Sequence, residues 1–309
     1  MLFAAAASPV HSSLSFFQAI FIGLLQGVTE LFPISSLGHS VLVPSLLGWH
    51  NIVKSQSAGE SFYLAFIVGL HCASATALLI FYRKDWVRII RAFFRTLAKR
   101  KVETSDERLA WLIIIGSIPT GILGLALEHQ LRVVFAKPLA AAIFLTINGL
   151  ILLAGERVRR RSEARVLAVR SGIAVPDRSR QLETMEFKEA GAIGAAQSLA
   201  LLAGISRSGV TMVAGLLRGL DHEDALRFAF LLATPIIFAA GVYKIPDLTG
   251  PLGNGIRGQV LIGSLVAGIA SYFSVRFLTR YFKSRNLNPF GVYCLGAGAL
   301  MIVHSLIFA

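Results

Sequence analysis

Six stretches of the chain, 61–82, 109–127, 139–155, 225–243, 259–275 and 289–308, are apolar for long enough to cross a bilayer as helices, since a hydrocarbon core of about 30 Å takes ~17–25 helical residues. This constrains the fold more than any other feature. Backbone in lipid must satisfy its own hydrogen bonds, and apolar runs of this length do so as α-helices. Composition agrees: 55% of the 309 residues are hydrophobic and 15% charged, against ~25% charged in an average soluble domain. A disordered or wholly polar chain is excluded. Pro119, Gly149, Pro235, Gly268 and Gly296 lie inside spans, which transmembrane helices tolerate when neighbours satisfy the freed backbone groups.

Two more apolar stretches, 14–49 and 190–220, are each long enough for two half-crossings but polar in the middle. The first break reads TELFPISSLGHS over 29–40 and the second AGISRSGVT over 203–211. Irregular backbone survives at membrane depth only where it is buried in protein or lines a wet cavity, so both stretches read as re-entrant hairpins.

The net charge of +13 suggests nucleic acid or a membrane surface as partner, and the apolar content selects the membrane. Lys and Arg number nine in 83–108, two in 128–138, eight in 156–187, two in 244–258 and four in 276–288. Cytoplasmic loops carry the excess of such residues. The alternation puts both termini outside, the first hairpin entering from outside and the second from the cytoplasm. On this count 24 of the 30 basic residues are cytoplasmic and five external, and Arg207 is left at membrane depth together with one acid, Glu30. The basic excess therefore says nothing of nucleic acid. The N-terminal residues lack the basic and apolar regions of a signal peptide and read as part of the mature chain. Cys72 and Cys294, far apart in apolar stretches, read as buried inert thiols.

Sliding the chain by 171 residues superposes the two breaks: Ile22, Gly23 and Gln26 fall on Ile193, Gly194 and Gln197, and Leu31, Ile34, Ser35 and Gly38 on Leu202, Ile205, Ser206 and Gly209. With opposite hairpin orientations this reads as an inverted-topology repeat, whose midplane interface is the expected place for a site. The expected architecture is an all-α integral membrane domain over 1–309, with six transmembrane helices and two re-entrant helical hairpins. Repeats 14–155 and 188–309 carry hairpins 14–49 and 190–220, joined by a basic cytoplasmic loop, 156–187. Ser36 falls on Arg207, Glu30 on Leu201 and His39 on Val210, so the chemistry is divided unequally between the copies.

An ionisable group inside the membrane costs at least ~2.5 kcal/mol and marks function by default. Glu30 and Arg207 could form a structural salt bridge, but each sits among other polar groups. Gln26 precedes Glu30 by four, on one helix face; Ser35, Ser36, His39 and Ser40 follow; the second break offers Ser206, Ser208 and Thr211. The segment 204–211 opens into a helix, whose first amides and the Arg207 fork suit phosphate. His39, three residues after Ser36, is in reach of its hydroxyl as a general base. Glu30, with Gln26 as a neutral oxygen donor, suits a divalent cation bridging phosphate oxygens. His71 and His304, inside spans, read as hydrogen-bonded packing groups.

These residues resemble the signatures of the membrane undecaprenyl-diphosphate phosphatases associated with bacitracin resistance: an acid or Gln, three residues, then Glu; Pro-x-Ser-Ser-x-x-His; and Pro-Gly-x-Ser-Arg-Ser-x-x-Thr. Here they stand as Gln26 to Glu30, Pro33 to His39 and Gly204 to Thr211. The departures are Gln26 in place of a carboxylate, Ala203 in place of Pro, and a basic loop, 156–187, longer than usual. The resemblance implies hydrolysis of undecaprenyl diphosphate to the monophosphate with a divalent cation (Mg2+ or Ca2+), which recycles the lipid carrier of cell-wall synthesis. It implies a bacterial inner-membrane protein with an extracytoplasmic cleft and, at family level, a homodimer. It assigns Glu30 as the metal-binding or phosphate-binding acid, Ser36 as nucleophile, His39 as base and Arg207 as diphosphate clamp, with Ser35, Gly204, Ser206, Ser208, Gly209 and Thr211 as supporting phosphate contacts. Ser36 and a metal-bound water remain alternative nucleophiles. Ser36-Leu-Gly-His39 and Ser206-Arg207 echo the Ser-Gly-His and Ser-Arg elements of type-2 phosphatidic acid phosphatases, but the Lys-x6-Arg-Pro and His-x3-Asp elements of that family are missing. The rival class is a transporter of polyprenyl phosphate or another amphipathic anion, because carriers also build anion sites from broken helices.

Overall fold

The computed structural model describes residues 14–49, 52, 62–127, 137–169, 181–250 and 255–308. Eleven α-helices run through them: α1 (Phe16–Thr29), α2 (Ser36–Leu46), α3 (Phe62–Phe81), α4 (Arg83–Lys99), α5 (Ser105–Ala126), α6 (Pro138–Val169), α7 (Phe187–Gln197), α8 (Arg207–Leu217), α9 (His222–Thr249), α10 (Arg257–Tyr281) and α11 (Asn288–Phe308). Among the described residues there is no β-strand. The N-terminal residues 1–13, residues 128–136 and the stretch 170–180 of the expected basic loop lie outside them.

By length and composition α5, α6, α9, α10 and α11 can each cross a membrane, and α3 becomes a sixth span when taken with α4, into which the chain bends by 85°. The protein is thus an all-helical, multi-pass membrane protein. Large apolar side chains such as Leu261, Leu300 and Leu306 stand out from these helices, as expected where the solvent is lipid rather than water.

Two expected loops contain helix among their described residues. The basic segment 83–108 contains α4, and α6 runs fourteen residues beyond the expected span end at 155 to Val169. The extension reads ERVRRRSEARVLAV, a run of good helix formers without Gly or Pro that carries the helix on past the apolar window. Its acid, Glu156, is buried and accepts from His222 Nε2 at 2.8 Å and Arg160 Nε at 3.2 Å, which fastens α6 to the start of α9.

Each polar break lies between two short helices. Residues 30–35 separate α1 from α2. On the second side α7 tightens into a 3-10 turn over Ser198–Leu201, and residues 202–206 lead into α8. Helix α1 packs against α10, and α7 against α5. Corresponding glycines allow both approaches: a Cβ on Gly23 would collide with Gly263 O and stand 3.1 Å from Gly263 Cα, and one on Gly194 would collide with Gly116 O and stand 2.9 Å from Gly116 Cα. Two positions 171 residues apart therefore make the same kind of backbone crossing, the small-residue packing that brings membrane helices together. Helices α2 and α8 both pack on α6, which holds the two breaks side by side.

Candidate active site

The two breaks, separated by some 170 residues of chain, meet at one carboxylate. Glu30 caps the C-terminal end of α1, its amide donating to Gln26 O at 2.9 Å. Arg207 donates through Nη2 to Glu30 Oε1. Three groups surround the other oxygen, Oε2: the Ser36 hydroxyl donates to it, Gln26 Nε2 donates at 3.0 Å, and His71 Nε2 lies 3.2 Å away. The Glu30 side chain is 4% exposed, so its charge is compensated by protein groups rather than by water. Removing one partner of a buried pair like Glu30 and Arg207 typically costs ~3–5 kcal/mol, because the other charge is stranded.

Ser36 and Arg207, equivalent under the 171-residue shift, are each the first residue of a helix, α2 and α8. Each helix is capped by the preceding serine: Ser35 Oγ accepts from the Gly38 amide at 3.3 Å, and Ser206 Oγ from the Gly209 amide at 3.2 Å. In both helices the first bond back to the cap carbonyl is made by the fourth residue, His39 to Ser35 O and Val210 to Ser206 O. The amides of Ser36 and Leu37, and of Arg207 and Ser208, lie ahead of that bond. Two helix N-termini, each a natural anion site, therefore adjoin the same carboxylate.

The breaks are bonded to each other directly. Gly204 N donates to Ser35 Oγ at 3.1 Å, and Ser208 Oγ donates to Phe32 O at 3.3 Å. Gly204 has φ +114°, and a Cβ there would stand 2.7 Å from both Leu145 N and Phe144 Cβ on α6, so glycine is required twice over at this point. Ser35 holds φ +69° without being glycine. Such strain persists where surroundings over-determine it, and here two amides hold the Ser35 hydroxyl.

His39 Nδ1 lies 2.7 Å from Ser35 O, and Nε2 lies 2.8 Å from the Tyr293 hydroxyl of α11, with the two rings stacked at 5.8 Å and 11°. A carbonyl only accepts, so Nδ1 carries the ring proton and Tyr293 donates to Nε2. His39 therefore clamps the turn that presents Ser36, and the group that receives the Ser36 hydroxyl is Glu30. Thr211 is wholly buried one turn into α8 with its hydroxyl unbonded, as is Gln26 Oε1 beside Glu30. Gly209 packs beneath Pro33.

Three contributors escaped the sequence reading. His71, read there as a packing group, lies in the site. Asn148 of α6 ties both breaks: its Nδ2 donates to Pro33 O at 3.0 Å and its Oδ1 accepts from Ser206 N at 2.9 Å. Tyr293 is the third. Asn148 carries a usable sequence signal, an amide in an otherwise apolar span; Tyr293 carries none.

A cavity of about 560 Å³ opens beside the site, lined by Leu24, Val28, Phe290, His39 and Tyr293 among others. A second groove of about 470 Å³ runs along α10 and shares Leu24, Val28 and Phe32 with it. Both are almost wholly apolar; Thr29, His39 and Tyr293 are the polar residues that line the first, and Ser274 lines the second. Among the described residues no three His, Cys, Asp or Glu side chains gather as a metal cluster, so a cation here would draw part of its coordination from a ligand.

The family described as Bacitracin resistance protein BacA matches residues 19–300. The chain is 55% identical over 336 residues to Undecaprenyl-diphosphatase 2 of Frankia alni, covering 94% of this chain and 98% of the relative. It is 56% identical over 301 residues to Undecaprenyl-diphosphatase of Mycolicibacterium paratuberculosis, covering 94% and 97%. It is 43% identical over 295 residues to Undecaprenyl-diphosphatase 2 of Chromobacterium violaceum, covering 94% and 99%.

Proposed function

The chain belongs to the Bacitracin resistance protein BacA family, and from that premise we propose that it hydrolyses undecaprenyl diphosphate to undecaprenyl phosphate and inorganic phosphate. The observation that carries the reading is the convergence of Arg207, Ser36 and two helix N-termini on Glu30, beside an apolar cavity. The relatives' names favour hydrolysis over the transport reading. The product is the carrier lipid of cell-wall synthesis, and its recycling is what bacitracin resistance by this family implies.

The finer expectations belong to the same proposal. The protein is a multi-pass protein of the bacterial inner membrane, its two broken hairpins re-entrant and related as an inverted repeat, its cleft on the extracytoplasmic side, and it forms a homodimer. The matched glycine crossings and the capped helix starts at Ser36 and Arg207 support the repeat. The isoprenoid tail lies in the apolar cavity and brings the diphosphate to the site beside it.

In the resting site Glu30 holds Arg207. A diphosphate exchanges that carboxylate for its own oxygens, which the planar guanidinium grips through two N–H groups, while the Ser36, Leu37, Arg207 and Ser208 amides take the remaining oxygens. Ser36 Oγ attacks the terminal phosphorus as its proton passes to Glu30 Oε2. An Oγ–P bond forms, the bridging P–O bond breaks, and the lipid monophosphate leaves; water then releases inorganic phosphate from the serine. His39 and Tyr293 hold the Ser35 turn throughout. A divalent cation fits beside these groups, because Gln26 Oε1 is buried without a partner next to the Glu30 carboxylate. When bound, it neutralises charge building on the phosphate oxygens.

The test uses purified protein in detergent, given a polyprenyl diphosphate with and without chelator. Release of inorganic phosphate that chelator abolishes is expected. No release above a Ser36→Ala control refutes hydrolysis by this site, and undiminished release in chelator refutes the cation.

A further inference from the structure

The chain turns by 85° between α3 and α4, so where α3 runs along the membrane normal α4 lies across it. Helix α4, RKDWVRIIRAFFRTLAK, holds six Lys or Arg against one acid. At 3.6 residues per turn its surface divides into three sectors. The first contains Ile89, Ala92 and Thr96, which are buried, and α4 packs against α5. The second carries Val87, Ile90, Phe94 and Leu97, three and four residues apart and 46% to 63% exposed. The third carries Lys84, Arg88, Arg91, Arg95 and Lys99, all exposed. A helix with only two sectors, one packed and one polar, would be an ordinary surface helix. Here a second apolar sector is left over, between the bundle and the cations.

Four large apolar side chains in a row are costly against water, and α3 exposes Leu79 and Ile80 just before the bend, so apolar surface continues on both sides of it. The charges narrow the choice of what covers the stripe. Asp85 is taken by Arg88 at 2.7 Å and by Arg227 of α9 at 2.8 Å, Glu107 lies 3.7 Å from Arg95, and Glu103 lies 3.1 Å from Lys99. Among the described residues no acid pairs with Lys84 or Arg91. A second copy docking stripe to stripe about a two-fold axis would set the two rows of cations side by side. A bilayer surface of negative charge satisfies both sectors at once, because basic helices of this pattern lie in the interface with their apolar face among the acyl chains.

We propose that α4 is an interfacial helix that docks on acidic phospholipid in the adjoining leaflet. Val87, Ile90, Phe94 and Leu97 enter the acyl region, and Lys84 and Arg91 engage the headgroups of lipids with net negative charge. The inference stands on the multi-pass helical fold and is independent of the reaction.

The test reads the neighbouring lipid directly. The full-length protein, with photoreactive p-benzoyl-phenylalanine in place of Phe94, is placed in nanodiscs of equal phosphatidylglycerol and phosphatidylcholine with the same acyl chains. After illumination the adducts are identified by mass spectrometry. The same label in place of Leu300, exposed on α11, a helix without Lys or Arg, is the control for lipid contact without a basic sector. Lipid adducts are expected at both positions. At position 94 phosphatidylglycerol should exceed phosphatidylcholine about fivefold, the preference that one basic side chain near an anionic lipid confers, and at position 300 the two should be near parity. In Lys84→Gln/Arg91→Gln, and in the unaltered protein at 1 M salt, where the screening length is ~3 Å, the ratio at position 94 should fall below about twofold while lipid adducts persist. Adducts with a second copy of the chain in place of lipid, or no lipid adduct at 94 when 300 gives one, overturn the proposal. So does parity of the two lipids at 94, or a ratio unchanged in the folded double variant. The unaltered protein decides between lipid and no lipid even if the double variant fails to fold.

Discussion

Replacing Asn148 by alanine tests whether the two breaks are held as one unit. Asn148 is wholly buried, and its amide bonds two backbone groups from distant parts of the chain, Pro33 O at 3.0 Å and Ser206 N at 2.9 Å. The methyl of alanine reaches neither. Each stranded backbone group costs ~1–3 kcal/mol in a dry interior, so the substitution should destabilise the protein by about 2–6 kcal/mol, a large share of the ~5–15 kcal/mol typical of a folded domain. The functional effect should be steeper. Pro33 is three residues from Ser36 and Ser206 is adjacent to Arg207, and misplacing a reacting group by about 1 Å can cost ~100-fold in rate. Asn148→Asp keeps an acceptor for Ser206 N but sets an oxygen against Pro33 O, so it should be no milder. Thermal unfolding in detergent and phosphate release from a polyprenyl diphosphate measure the two effects separately. Wild-type stability and turnover in Asn148→Ala would refute the reasoning, because both breaks would then be positioned without their shared anchor.

Two substitutions probe the remaining supports. Gly204→Ala places a methyl against α6 at φ +114°, where conformational strain of ~1–3 kcal/mol adds to overpacking of similar size; a large drop in unfolding temperature with loss of turnover is expected from the same two assays. Tyr293→Phe keeps the ring stacked on His39 and removes only the hydrogen bond to Nε2, a net ~0.5–1.5 kcal/mol. Stability should fall by no more than that amount and turnover by about 2- to 12-fold, and a loss as large as that of Ser36→Ala would mean that Tyr293 does more than hold the imidazole.

Much of this was legible in the sequence because lipid leaves so few choices. The long apolar runs have to be helices, and a polar break at membrane depth has to be sheltered, which singles out Glu30 and Arg207 from the sequence alone. The spacing from Gln26 to Glu30 and the serines before Ser36 and Arg207 are local patterns, and the structure realises them as one helix face and two N-caps. What was not legible depends on side chains meeting across the bundle. His71 lies on α3 and Tyr293 on α11, and an isolated polar residue in a span gives no hint of which neighbour it faces. His39 shows the same limit from the other side. Its spacing allowed reach to Ser36, and its ring is instead engaged by Ser35 O and Tyr293, because the turn at Ser35 aims the carbonyl at the imidazole. The helical continuation of α6 to Val169 was missed because hydropathy marks where the membrane ends rather than where the helix ends.

The central claim is that one carboxylate from the first break and one guanidinium from the second work as a unit on a single diphosphate. The rate of inorganic phosphate release from a polyprenyl diphosphate by Glu30→Gln, Arg207→Lys and the double variant, each confirmed as folded, tests it most directly. Each single variant should lose ~100-fold or more in turnover, the lysine because an ammonium cannot replace the planar fork, and the double variant should be little worse than the poorer single. Near-normal turnover in Arg207→Lys, or losses that simply multiply in the double variant, would contradict the account.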